Sequence, residues 1–262
     1  MSYFSYRGID FHYQVFGLGE PIVFLHGIGN DLYQPKIHLM HLPGHVIMPD
    51  IRGHGKSGHN NDPMSYGLLA EDLYLFVKYL GLKDFILGGI DMGAGIALNF
   101  TLKHPEKVKK LILVRPSALD MPCDPYIRQI YERLSMFLKL HHGVEQFKRS
   151  DDYNELFEIS PYAAYHLLRH FTDPVAQHFP DKFQQIIDDK PIDNEEDLKK
   201  ISCPTLTVVT DMDMVHPVHL GDILNQHIED HTLVKITPKP QDEHKHLLQL
   251  EQAIIDFLNP LK

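Results

Sequence analysis

Short apolar runs alternating with helical stretches predict an α/β protein with a mostly parallel central sheet covered by helices on both faces. Two further observations sharpen that expectation. Several of the runs are apolar without a break, as strands buried on both faces must be. The alternation also stops once, over residues 116–195, where helical stretches divided by prolines replace β-branched runs. Residues 1–115 and 196–262 are therefore expected to form one α/β core, with 116–195 inserted as a helical cap.

Each element has its own signal. Residues 9–16 alternate as a half-buried strand does, and 22–25 form a short buried strand that ends at His26-Gly27-Ile28-Gly29. Val46-Ile47-Met48 is the next strand. Residues 65–80 place Leu68, Leu69, Leu73, Phe76, Val77 and Leu80 on one helical face, with Ser65 as the cap and Gly81 as the stop. A strand at 85–89 leads through a turn at Asp91 into a helix over 92–103, closed by His104-Pro105. The strand at 108–114 completes the first half. Helices over 126–140 and 161–171 fall in the insertion. Strands at 205–210 and 232–236 then alternate with helices over 217–227 and 247–258.

The chain has 262 residues, enough to bury a core without disulfide or metal staples. Its formal net charge is −10, without a clustered basic surface, which argues against nucleic acid as a partner. Two cysteines, Cys123 and Cys203, make neither a disulfide framework nor a zinc spacing. Among the 19 histidines, His41 and His45 have the i, i+4 spacing of a helical ligand pair, but Pro43 and Gly44 between them oppose a helix, so no metal is expected. No cofactor motif is found: the glycines from Gly88 to Gly95 lack dinucleotide-loop spacing. With no signal-peptide pattern and no apolar run long enough to span a bilayer, a cytoplasmic protein without a membrane partner is expected. The expected partner is a small-molecule substrate, and the oligomeric state is open.

The chemistry is carried by Gly89-Ile90-Asp91-Met92-Gly93, set between a buried strand and a helix. Flanking glycines permit a sharp turn that lifts the central side chain above the sheet. With His26-Gly27-Ile28-Gly29 after one strand and Asp50-x-Arg52-Gly53-x-Gly55-x-Ser57 after the next, this turn comes in the order found in α/β-hydrolases. The chain resembles that family over nearly its whole length.

The resemblance implies site residues. Asp91 stands at the nucleophile position, and the backbone N–H groups of Ile28 and Met92 would form an oxyanion hole. The stretch from Thr210 to Pro217 matches the family's acid loop, which makes Asp213 the acid and leaves Asp211 as a second candidate. His246 fits the histidine that opens the final helix, with His244 as the alternative. Asp50 and Arg52 would tie loops beneath the site, and His54 would be a loop residue without a catalytic part.

Aspartate at the elbow changes the chemistry. A carboxylate attacking an ester gives a reactive mixed anhydride, whereas attack on saturated carbon gives an alkyl-enzyme ester that water can hydrolyse. The surroundings resemble serine-type, carboxylesterase-like members. An Asp-nucleophile epoxide hydrolase or haloalkane dehalogenase is the alternative, and a non-catalytic small-molecule-binding protein a further one. Met92 occupies the place where dehalogenases of this fold carry Trp, and the chain has no Trp. Gly29 stands where epoxide hydrolases carry Pro. Cap tyrosines such as Tyr126, Tyr131, Tyr153, Tyr162 and Tyr165 are available as proton donors.

Overall fold

The computed structural model describes residues 2–42 and 44–259, so Pro43 lies outside the described residues. The strands are β1 (Ser2–Tyr6), β2 (Ile9–Phe16), β3 (Pro21–Leu25), β4 (His45–Pro49), β5 (Phe85–Ile90), β6 (Val108–Val114), β7 (Thr205–Thr210) and β8 (His231–Ile236). They form one sheet in the order β1-β2-β4-β3-β5-β6-β7-β8. The pairs from β4 to β8 are parallel, and β1 and β2 add an antiparallel edge. The helices are α1 (Tyr33–Leu39), α2 (Tyr66–Tyr79), α3 (Met92–Lys103), α4 (Pro125–Leu138), α5 (Gly143–Lys148), α6 (Asp151–Ile159), α7 (Pro161–Leu168), α8 (Pro174–His178), α9 (Asp181–Ile187), α10 (Val218–His227) and α11 (Glu243–Leu258). This is the α/β-hydrolase fold.

Strand periodicity divides the core. Val23, Leu25, Leu87, Leu111 and Leu113 face one side of the sheet, where they pack with Leu69 and Leu73 of α2. Ile22, Phe24, Ile86, Ile112 and Val114 face the other, against Leu39 of α1 and Leu250 and Ile254 of α11. Because helices cover both faces, β5 and β7 are buried at every residue. That accounts for the absence of charged residues from both.

Outside the insertion, two elements lie beyond the expected set, edge strand β1 and the short helix α1. Both are too short to carry a periodic signal of their own. Within the insertion, α5, α6, α8 and α9 add to the two helices expected there. A third difference matters more. Helix α11 starts at Glu243 rather than near 247, because the Asp242 side chain caps it by accepting from the Lys245 N–H at 2.9 Å.

Helices α4 to α9 fall between β6 and β7 and lie over the carboxyl ends of the strands. Lys182 of α9 docks them to the core, donating to the Gly53 carbonyl at 2.8 Å while fully buried. Among the described residues, no helix is long and apolar enough to cross a membrane.

Candidate active site

Every candidate side chain stands at the carboxyl edge of a parallel strand, where open α/β sheets place their ligands. Asp91 follows β5 with φ 53° and ψ −117°, a strained conformation for a residue with a side chain. Glycines make the turn possible. A Cβ on Gly89 would fall 2.1 Å from the Gly93 backbone, and one on Gly93 would fall 2.6 Å from the Leu25 carbonyl oxygen. The turn packs so tightly that α3 begins at once, and Asp91 is thrust above the sheet.

The Asp91 carboxylate is held at both oxygens. The Ile28 N–H donates to Oδ2 at 3.0 Å, and the Met92 N–H is directed at the same carboxylate. Oδ1 lies 3.2 Å from Nε2 of His216. That contact falls off the hydrogen-bonding line, so Nε2 is buried without a hydrogen-bond partner. On its other side, His216 Nδ1 lies 2.8 Å from Asp213 Oδ2 and 2.9 Å from Oδ1. The His216 backbone N–H also donates to Asp213 Oδ1, at 3.2 Å. Acid and imidazole thus come from one tight loop after β7.

The structure corrects the histidine assignment. His246 is buried in the first turn of α11, with Nδ1 2.8 Å from the Thr237 carbonyl oxygen, and no contact joins it to Asp91. The early start of α11 consumes the loop that would have carried it to the elbow. His244 is exposed on the same turn. His216 fills the vacancy and was missed because Pro217 served only as a landmark for the acid loop. The Asp213-x-x-His216 spacing was the available signal, since a turn lets such a pair meet.

Electrostatics follow from this geometry. Burial opposes ionisation of Asp91, but His216 and the two N–H groups outweigh it and hold its carboxyl below the ordinary value. Asp213 is half-buried and is held well below the carboxylate range by His216 and then Arg115. Burial alone would lower His216, yet Asp213 and Asp91 together raise it to about 9. At neutral pH the site is an imidazolium between two carboxylates.

The surrounding loops are braced as expected. Arg52 donates twice to Asp72, at 2.7 Å each, and Asp50 accepts from the Leu32 and Lys56 N–H groups. His26 is fully buried and accepts from the Ile51 N–H at 2.9 Å, which fixes the loop carrying Ile28. His54 is a buried loop residue whose Nδ1 lies 2.9 Å from the Arg52 carbonyl oxygen. Gly29 has a physical reason to be neither Pro nor a larger residue. Its φ is +63°, and the His170 ring fills the space a Cβ would need.

Above these groups lies a cavity of about 380 Å³. Its floor includes Ile28, Asp91, Asp213 and His216, and the inserted helices add Ile130, Tyr131, Leu156 and Leu167. Apolar surface makes up the larger part of its lining, with Arg115, Arg169 and Lys239 among the polar side chains, which suits a small organic ligand.

Known proteins agree with this architecture. A family profile described as the alpha/beta hydrolase fold matches residues 20–139. RutD of Azorhizobium caulinodans, provisionally named a carbamate hydrolase, is 27% identical over 244 residues, covering 90% of this chain and 89% of its own. Epoxide hydrolase 2 of Siraitia grosvenorii is 34% identical over 113 residues, covering 41% of this chain and 36% of its own. An esterase structure from Thermogutta terrifontis superposes with a TM-score of 0.73 at 22% identity, covering 97% of this chain and 95% of that one. The chain has the α/β-hydrolase fold. It is a hydrolase.

Proposed function

We propose that the protein hydrolyses a small epoxide through a covalent ester on Asp91, with His216 as the base and Asp213 as its supporting acid. The observation that carries this reading is the Asp91 carboxylate itself. Its Oδ2 accepts from the Ile28 N–H, the Met92 N–H is directed at the same carboxylate, and Oδ1 lies 3.2 Å from His216 Nε2. A substrate carbonyl could not enter the oxyanion hole while Oδ2 sits there. A carboxylate nucleophile needs this arrangement, because the oxygen in the hole becomes the carbonyl oxygen of the alkyl-enzyme.

The steps balance. Oδ1 attacks an epoxide carbon, the C–O bond breaks, and the departing oxygen takes a proton from Tyr131. Burial, then the Asp91 charge, pushes the Tyr131 phenol up, so it is protonated and able to donate. Alkylation removes the negative charge of Asp91, one of the groups that raise His216. The imidazolium then gives up its proton, which returns by way of solvent to the Tyr131 phenolate, and the neutral imidazole can accept one from water. The resulting hydroxide attacks Asp91 Cγ, and the oxyanion is held by the N–H groups that hold the carboxylate. Collapse breaks the Cγ–O bond to the substrate, the new hydroxyl's proton passing to the departing oxygen to give the diol and restore the Asp91 carboxylate and the His216 imidazolium.

Epoxide chemistry is favoured over carbon–halogen cleavage because Met92 offers no N–H side chain for a halide and a buried phenol lines the cavity. Carbonyl chemistry is the second reading, supported by the extent of the match to RutD. Both are tested by offering styrene oxide and p-nitrophenyl acetate to the protein and to Asp91→Ser. Epoxide turnover by the parent, lost in the variant, supports the first. Ester turnover by the parent, or by the variant alone with the parent inert on epoxides, overturns it.

A further inference from the structure

Besides His216, one lysine and two arginines line the cavity, and two of these three are already matched. Arg115 Nη1 pairs with Asp213 at 3.3 Å, and Lys239 pairs with Glu243 at 3.1 Å. Arg169 differs. It begins the short 3-10 turn Arg169–Thr172 that follows α7, and among the described residues no carboxylate lies within ion-pair distance of it. Its polar contact is the neutral Asn30, whose Oδ1 accepts from Nη2 at 2.7 Å. Its Nε is buried with no partner.

Asp173 and Asp31 act on Arg169 only from beyond ion-pair distance, so the guanidinium at the wall of the chamber has no carboxylate seated on its planar fork. The connection through Asn30 says where the missing group would sit. Asn30 Nδ2 donates to the Ile28 carbonyl at 3.1 Å, and the Ile28 N–H holds Asp91 Oδ2. One side chain therefore joins Arg169 to the peptide of the oxyanion loop.

We infer that Arg169 is a substrate-binding residue for a carboxylate, so that the protein takes epoxides bearing an acid group a few atoms from the ring. The inference builds on the epoxide reading but concerns the binding half of the site. Asp91 and Asp213 would otherwise repel an anion entering the chamber. His216 and Arg115 balance those two charges, and Arg169 remains to hold the incoming one. Asn30 presents the guanidinium and links its occupancy to the loop that carries the oxyanion hole.

The test separates binding from reaction. Hydrolysis of trans-3-phenylglycidate is compared with that of its neutral amide, in the parent protein, Arg169→Met and Arg169→Lys. Binding of the unreactive 3-phenylpropionate and its amide is measured in parallel by calorimetry. The expected result is parent binding of 3-phenylpropionate at least tenfold tighter than its amide. That preference is lost in Arg169→Met and partly kept in Arg169→Lys, with a matching rise in KM for the glycidate alone. Equal binding of acid and amide by the folded parent overturns the carboxylate subsite, whatever the turnover. The same holds if the acid preference survives in folded Arg169→Met. Acid-selective binding that depends on Arg169, without hydrolysis of either epoxide, upholds the subsite and counts against the epoxide reaction only.

Discussion

Two neighbouring loops at the carboxyl edge of the sheet each bury a histidine, and they treat it in opposite ways. After β7, Asp213 and Asp91 enclose His216 and raise it to about 9. After β8, His246 faces a backbone carbonyl, and burial lowers it despite that bond, with Arg115 and Lys239 adding to the effect. One imidazole is an ion between counter-ions, and the other is a neutral brace at the start of α11. What separates them is where α11 starts, since that decides which loop has length left to reach Asp91. Position in a family pattern is thus a weaker guide to a base than the carboxylates around it.

The contrast can be broken by substitution. Asp91→Asn should remove the nucleophile and abolish epoxide turnover by at least about a thousandfold, measured as diol formation against the folded parent. His216→Gln should lower steady-state turnover about 10²- to 10⁴-fold while leaving alkylation possible. Intact-protein mass spectrometry should then find the substrate adduct accumulating on the variant. His246→Gln should accumulate no adduct and should change kcat by less than about threefold, within the range of a packing change remote from the reacting atoms. If the two histidine variants exchanged these phenotypes, the assignment of the base to the β7 loop would fail.

Stability sharpens the same comparison. Because the folded-state pKa of His216 is raised above 6.5 to about 9, its stabilising contribution is complete below 6.5 and is lost as pH rises through 9. The difference in unfolding free energy between the parent and His216→Gln should therefore shrink from pH 7 to pH 10. His246 is lowered, so its substitution should give no such decline over that window. The smallest effect expected on chemistry comes from the scaffold. Gly93→Ala pushes a methyl group to 2.6 Å from the Leu25 carbonyl and should cost about 1–3 kcal/mol of stability by urea unfolding.

How much of this was legible in the sequence depends on whether the signal was local. The elbow was readable because Gly89 and Gly93 are needed by contacts within a few residues of Asp91. The buried strands were readable because covering both faces demands unbroken apolar runs. The Asp213 loop was found through its spacing to Pro217. His216 was missed because its role depends on Asp91, which is far away in sequence. Arg169 was equally silent, since its lack of an ion pair emerges only when the turn after α7 is folded against Asn30. The exchange of His246 for His216 turns on a single helix cap at Asp242, a feature worth a few contacts and visible only as one Asp among many.

The central claim is that Asp91 forms a covalent bond to carbon, and isotope transfer tests it most directly. The protein, in molar excess over a reactive epoxide, completes a single turnover in ¹⁸O-labelled water, and diol and Asp91 peptide are analysed by mass spectrometry. The account predicts unlabelled diol, its new oxygen drawn from Asp91, and ¹⁸O in the Asp91 carboxylate. Diol labelled in that first turnover, with Asp91 unlabelled, would contradict it and make the carboxylate at most a base for direct attack by water.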